Sequence, residues 1–171
     1  AAAIAGGGSE NDIGPGITYF KQLATQGRLL ETNDPMEALK SGRAAVVILW
    51  DFNALTVRDQ LMAADSRRQF EACIPADGTI QSGYATIINA KGDHPETAAF
   101  AREYILSDAG QISLAKGYAT PVRSVPIPAE VQVKRIPQEQ YAGARMISDL
   151  DVWFLNSENL TVQWESEIAH Q

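Results

Sequence analysis

The chain has 171 residues, 45% of them hydrophobic, and a formal net charge of -7. That length bounds it to one domain or a substantial piece of a larger protein, with apolar area enough for a core. The acidic balance repels phosphate backbones and sets nucleic acid aside as a partner, and the single cysteine excludes an internal disulfide and disfavours thiolate-bound zinc.

Residues 1–8 are Ala- and Gly-rich, without the basic start or apolar length of a secretory leader. Gly6-Gly7-Gly8 follows no strong strand, so it is not a dinucleotide fingerprint. Asn11, Asp12 and Gly14-Pro15-Gly16 carry turn chemistry. Ile17, Phe20, Leu23 and Ala24 then fall at helical spacing over 17–26, with Gly27 to close the helix.

Residues 36–53 organise the rest. A short helix is expected after Asn33 or Asp34 as cap, with Pro35 in its first turn and Gly42 ending it at positive φ. Residues 44–49, all apolar, predict a strand buried on both faces, as in a parallel sheet. The run stops at Trp50-Asp51-Phe52-Asn53, an aromatic, a carboxylate and an amide where open α/β sheets bind ligands. The alternative is that Trp50 covers a core while Asp51 and Asn53 satisfy the backbone of a turn.

A helix is expected over 54–69, with Leu55, Leu61 and Met62 inward and Arg58, Asp59, Arg67 and Arg68 outward. Strands are expected over 70–74, with Cys73 as a buried inert thiol, and over 84–89. Between them lie the turn Pro75-Ala76-Asp77-Gly78 and the polar Gln81-Ser82-Gly83. Asp93 or His94, then Pro95, begin a helix that buries Ala98, Ala101, Tyr104 and Ile105. Ser107 caps another that Gly117 ends. Pro126, Pro128 and Pro137 hold a linker out of helix. One or two helices follow over 138–168, with Trp153 and Trp164 at packing positions. His94 and His170 offer no metal spacing, and no run reaches the roughly 18 apolar residues of a membrane span.

The order of these features resembles a known family. Ser41-Gly42 before the 44–49 run and Trp50, then Ile74-Pro75-Ala76-Asp77-Gly78, are similar to the extracellular solute-binding proteins of ABC importers. So are the 84–89 segment, His94-Pro95-Glu96-Thr97-Ala98, Leu106-Ser107-Asp108-Ala109-Gly110-Gln111 and Gly117-Tyr118-Ala119-Thr120-Pro121-Val122-Arg123. The nearest group is family 1, which includes binders of polyamines, ferric iron, thiamine and phosphonates. The resemblance covers residues 36–125 well and the flanks loosely.

It implies an α/β fold of the type 2 periplasmic-binding-protein class, two lobes closing over a solute, in an extracellular or periplasmic setting. The matched part corresponds to the second half of such a protein, so the chain is expected to hold the second lobe and the C-terminal part of the first. The implied division is a second-lobe segment over 1–78 with a crossover near 74–84, a return segment over 79–125, and a C-terminal linker with helices over 126–171.

In polyamine binders an aromatic at the position of Trp50 packs on the ligand, and the tyrosine at the position of Tyr118 lines the cleft. Those proteins place a Trp-x-Asp where this chain has Gln81-Ser82-Gly83-Tyr84, so the carboxylate that would hold an ammonium group is missing there. The adjacent tyrosine pair of many iron binders is absent too. The expected ligand contacts are Trp50, Asp51, Asn53, Ser82, Tyr84 and Tyr118, for a small polar or cationic solute. No metal or cofactor is expected, the expected partner is an ABC permease, and a chain lacking its first half is expected to self-associate.

Asp51, Asp77 and Asp93 have no recognisable partner for acid–base work, and no nucleophile elbow or P-loop occurs. The expectation is therefore binding without catalysis. The alternative is a small-molecule enzyme or a ligand-sensing domain on a related two-lobed scaffold.

Overall fold

Helices make up most of the regular structure in the computed structural model, which describes residues 1–169, and three of them are capped by a side chain. The elements in chain order are α1 (Ala2–Ala5), α2 (Gly14–Thr25), α3 (Pro35–Lys40), α4 (Asp51–Ala64), β1 (Thr79–Gln81), α5 (Pro95–Leu106), α6 (Asp108–Lys116) and α7 (Ala129–Gln132). A 3-10 helix (Gln138–Gly143), β2 (Ala144–Met146) and α8 (Leu150–Glu167) complete it. Asp34 caps α3 by accepting the Glu37 N–H at 2.8 Å, with Pro35 at the first position. Gly27 and Gly42 take φ of +64° and +75° just past α2 and α3, a conformation a β-carbon disfavours.

The chain forms two units. Unit 1 comprises Ala1–Val47, Ile74–Ser82 and the chain from Pro137 onward; unit 2 comprises Ile48–Cys73 and Gly83–Ile136. In unit 1, α1 lies close on α2: a β-carbon on Gly16 would come within 2.9 Å of the Ala3 nitrogen. Ile17, Ala38 and Ile168 are buried there, and the Phe20 and Trp164 rings meet at 5.2 Å between α2 and α8. Glu10 accepts the Ser148 hydroxyl and the N–H groups of Ser148 and Asp149, anchoring the start of α8. The strands β1 and β2 pair in parallel, Thr79 opposite Ala144 and Gln81 opposite Met146. In unit 2, Leu55 and Leu61 of α4 are buried, as are Ala115, Tyr118 and Ile136.

Four expectations are corrected. No strand forms over 44–49, 70–74 or 84–89, and both observed strands lie elsewhere. The backbone there has no neighbour to complete a ladder, and Val46 and Ile87 are 81% and 87% exposed. Helix α5 forms where expected but buries no residue, so Ala98, Ala101, Tyr104 and Ile105 are not an inward stripe. Cys73 is exposed, because no strand carries it into a core. Asp59 does not simply face solvent, since three side chains hold its carboxylate. The sheet is two-stranded and the described residues are rich in helix. His170 lies outside the described residues.

Candidate functional site

Residue 50 ends an extended approach and begins α4. Trp50 is the N-cap residue, at φ −63° and ψ 146°, with its side chain 46% exposed. Asp51 follows at the first helical position, where a carboxylate complements the exposed N–H groups of a helix start. Its Oδ1 accepts the Phe52 N–H at 2.9 Å. Asn53 is exposed in the same turn. Tyr84 comes to this place through a contact the sequence did not reveal: its ring meets that of Phe52 edge-on, 6.1 Å between centroids and 74° between planes. The start of α4 therefore carries an exposed aromatic, Trp50, with a carboxylate and an amide in the same turn, and a second exposed aromatic, Tyr84, packs on Phe52 of that turn.

Tyr118 meets the same helix at a different place. It follows Gly117 at the end of α6 with φ +68°, the left-handed region that favours glycine. Its ring is buried, and its hydroxyl donates to Asp59 Oδ2 at 2.5 Å. Asp59 Oδ1 accepts from Arg58 Nε at 2.9 Å and Nη2 at 2.7 Å, and Lys134 Nζ lies 3.5 Å from Oδ2. Burial raises the Asp59 pKa, but the hydrogen bonds from Tyr118 and Arg58 and the charges of Arg58 and Lys134 together hold it below its ordinary value. Burial raises that of Tyr118, and the Asp59 hydrogen bond and charge raise it further. Eight residues of helix separate Asp51 from Asp59, about 12 Å at 1.5 Å per residue. Tyr118 is thus tied to the middle of α4 rather than to its start.

The structure brings Trp50, Asp51, Asn53 and Tyr84 together at one helix start and places Tyr118 on a separate polar knot in the same unit. Ser82 belongs to unit 1, exposed directly after β1. Phe52 and Asp59 were missed. Asp59 had a signal, for it stands at i+4 from Leu55 and i−3 from Met62, inside an apolar stripe. A shallow groove of about 400 Å³ along α2, lined by Ile17, Lys21, Gln22 and Glu167 among others, contains none of the expected residues. Among the described residues no cluster of His, Cys, Asp and Glu is arranged to hold a metal ion, and no helix is long and apolar enough to cross a membrane.

No curated protein matches the chain. The profile of one family, described as bacterial extracellular solute-binding protein, matches residues 2–142. That family brings a periplasmic-binding-protein-like α/β fold and a substrate-binding role in transport. With the greater part of its length matched, the chain belongs to the bacterial extracellular solute-binding protein family.

Proposed function

We propose that the protein is the substrate-binding component of an ABC importer, of the family 1 type. It captures a small polar or cationic solute between two lobes and delivers it to a membrane permease outside the cytoplasm. The observation that carries this reading is the start of α4. Trp50 and Tyr84 offer aromatic faces, and Asp51 and Asn53 offer a carboxylate and an amide within one helical turn. A few polar groups beside apolar faces are what a small-molecule site uses, and an aromatic face near a carboxylate suits an organic cation.

Tyr118 and Ser82 are proposed as further contacts, Tyr118 through the edge of its Asp59-bound hydroxyl. The missing carboxylate over 81–84 argues against a polyamine as the solute. In this reading the chain carries the second lobe and the C-terminal part of the first, with segments 1–78, 79–125 and 126–171 as second-lobe, return and C-terminal pieces. The exposed apolar residues Val46, Ile48, Ile87 and Phe100 support it, since they are surfaces a complete sheet would cover. Closure gains contacts in both lobes and makes the shape that a permease recognises. No catalytic step is involved.

A screen of small polar and cationic solutes by thermal shift tests the reading. A true solute raises the melting temperature by mass action and is recovered chemically unchanged. Trp50→Ala, with the fold intact by circular dichroism, should weaken binding by about 2 kcal/mol, the scale of a buried aromatic anchor. Undiminished affinity in that variant would return Trp50 to a packing role. Turnover of a solute, abolished in Asp51→Ala, would overturn the binding reading itself.

A further inference from the structure

The chain passes between its two units at four points, 47/48, 73/74, 82/83 and 136/137. All four lie outside regular secondary structure. Three of them are drawn together inside unit 1. Ile74, the first residue after the second point, donates its N–H to Gln140 Oε1 at 3.0 Å. Gln140 belongs to the 3-10 helix that starts at Gln138, directly after the fourth point. Strand β1 ends at Gln81, one residue before the chain leaves unit 1 at the third point, and pairs in parallel with β2. The turn before β1 is braced as well: Gly78 has φ +149°, and a β-carbon there would lie 3.1 Å from Ile4 Cγ2 and 3.3 Å from the Ala5 nitrogen.

A three-residue strand pair is too short to hold its register alone. The Gln140–Ile74 bond closes the pair at its upstream end. Ile74 stands five residues before Thr79, and Gln140 four residues before Ala144, the residue paired with Thr79. A side-chain oxygen thus ties together the segments that lead into the two strands, across the turn at 76–77, in a partly buried setting where an unmet N–H is costly. By contrast, Val46 and Ile48 beside the first point are exposed.

We propose that Gln140 is a positioning residue that fastens the second, third and fourth linkers into one mechanical element. Movement of unit 2's chain at any of the three is then felt at the other two. Loosening of the Ile74 N–H frees both strands as well as the linker it begins.

The native cysteine makes the test direct. Cys73 is exposed and is the sole cysteine, bonded to Ile74. A nitroxide attached to it therefore reports linker mobility, and amide exchange reports the strands. Gln140→Leu keeps bulk and removes the acceptor; Gln140→Glu keeps an acceptor oxygen. In Gln140→Leu the amides of Ile74, 79–81 and 144–146 should exchange about five- to tenfold faster, as expected for loss of one hydrogen bond. The Cys73 nitroxide spectrum should sharpen in the same variant. Gln140→Glu should match the unsubstituted protein in both readouts. Faster exchange at Ile74 alone would overturn the proposal, as would a Gln140→Glu variant as loose as Gln140→Leu. So would equal opening of α2 and α8, which would make Gln140 an ordinary core residue. No solute enters these measurements, so their outcome and that of the proposed function stand apart.

Discussion

Helices α5 and α6 follow one another in unit 2, each with an acidic residue in its first turn, yet they differ in what they bury. Helix α5 has His94 at its N-cap, Pro95 at its first position and Glu96 in its first turn. It leaves Phe100 76% and Tyr104 57% exposed and buries nothing. Helix α6 is capped by the Ser107 hydroxyl, which accepts the Gly110 N–H at 3.2 Å, and buries Gly110, Gln111 and Ala115. Two residues explain the contrast. Gly110 lets α6 approach the end of α5 so closely that a β-carbon would lie 2.1 Å from the Tyr104 carbonyl oxygen. Gln111, 3% exposed, donates from Nε2 to the Ile105 carbonyl at 2.8 Å and accepts the Val122 N–H at Oε1, also at 2.8 Å. Local signals suffice to wind a helix. Burial needs a particular residue that reaches a neighbour.

The contrast predicts a graded series of stability losses, each read by denaturant unfolding. The largest is expected for Gly110→Ala, about 3 kcal/mol, because a backbone carbonyl cannot yield as a side chain would. Gln111→Leu should cost about 2 kcal/mol, since the Val122 N–H and the Ile105 carbonyl both lose a buried partner. Losses of a few tenths in either variant would mean that α6 is held by its apolar contacts alone.

Tyr118→Phe should cost about 1 kcal/mol at neutral pH, one hydrogen bond to a carboxylate. The pH dependence gives this prediction its sign. Asp59 is held below its ordinary value when folded, so its contribution is present above about pH 3.9 and is lost as pH falls through the lowered value. Tyr118 is held above its ordinary value, so its contribution is present below about pH 10 and is lost as pH rises through the raised one. The gap between the two proteins should therefore be widest in the neutral range and close at both ends. A gap that persists in acid would detach Asp59 from the effect.

The smallest effect on stability belongs to the exposed helix. Phe100→Ser should change it by no more than about 0.5 kcal/mol, as for surface sites without partners. Its consequence should appear in association instead. Exposed apolar residues on α5 and over 84–89 favour self-association of the chain, and Phe100→Ser combined with Ile87→Ser should weaken it. Sedimentation at micromolar concentration measures this, and a compact monomer before substitution would remove the premise.

Helix limits were legible where a residue with a short-range reason marks them, though α4, expected over 54–69, runs over Asp51–Ala64. Asp34, Pro35, Gly42, Pro95 and Ser107 all act within a few residues of where they stand. The strands were not legible. The apolar run over 44–49 has the composition of a buried strand and finds no partner, while Thr79–Gln81, with little apolar content, becomes one by meeting Ala144–Met146. At the candidate site the sequence showed an apolar run ending at Trp50 and Asp51, but as the end of a strand with the helix begun at 54, whereas Asp51 opens α4. The Phe52–Tyr84 and Asp59–Tyr118 contacts could not, since each joins residues far apart in the chain.

What the sequence determined by itself, then, is that the longer helices form and, where a cap, proline or glycine marks an end, where that end lies. An α-helix closes its hydrogen bonds four residues away, so propensity and caps decide it locally. Only the tertiary structure decided which segments pair as strands, which helix is buried, and which partner Asp59, Gln111 and Gln140 hold. Those bonds, the shorter-range ones of Gln111 apart, close across tens of residues, and a side chain's partner there depends on how the intervening chain is folded.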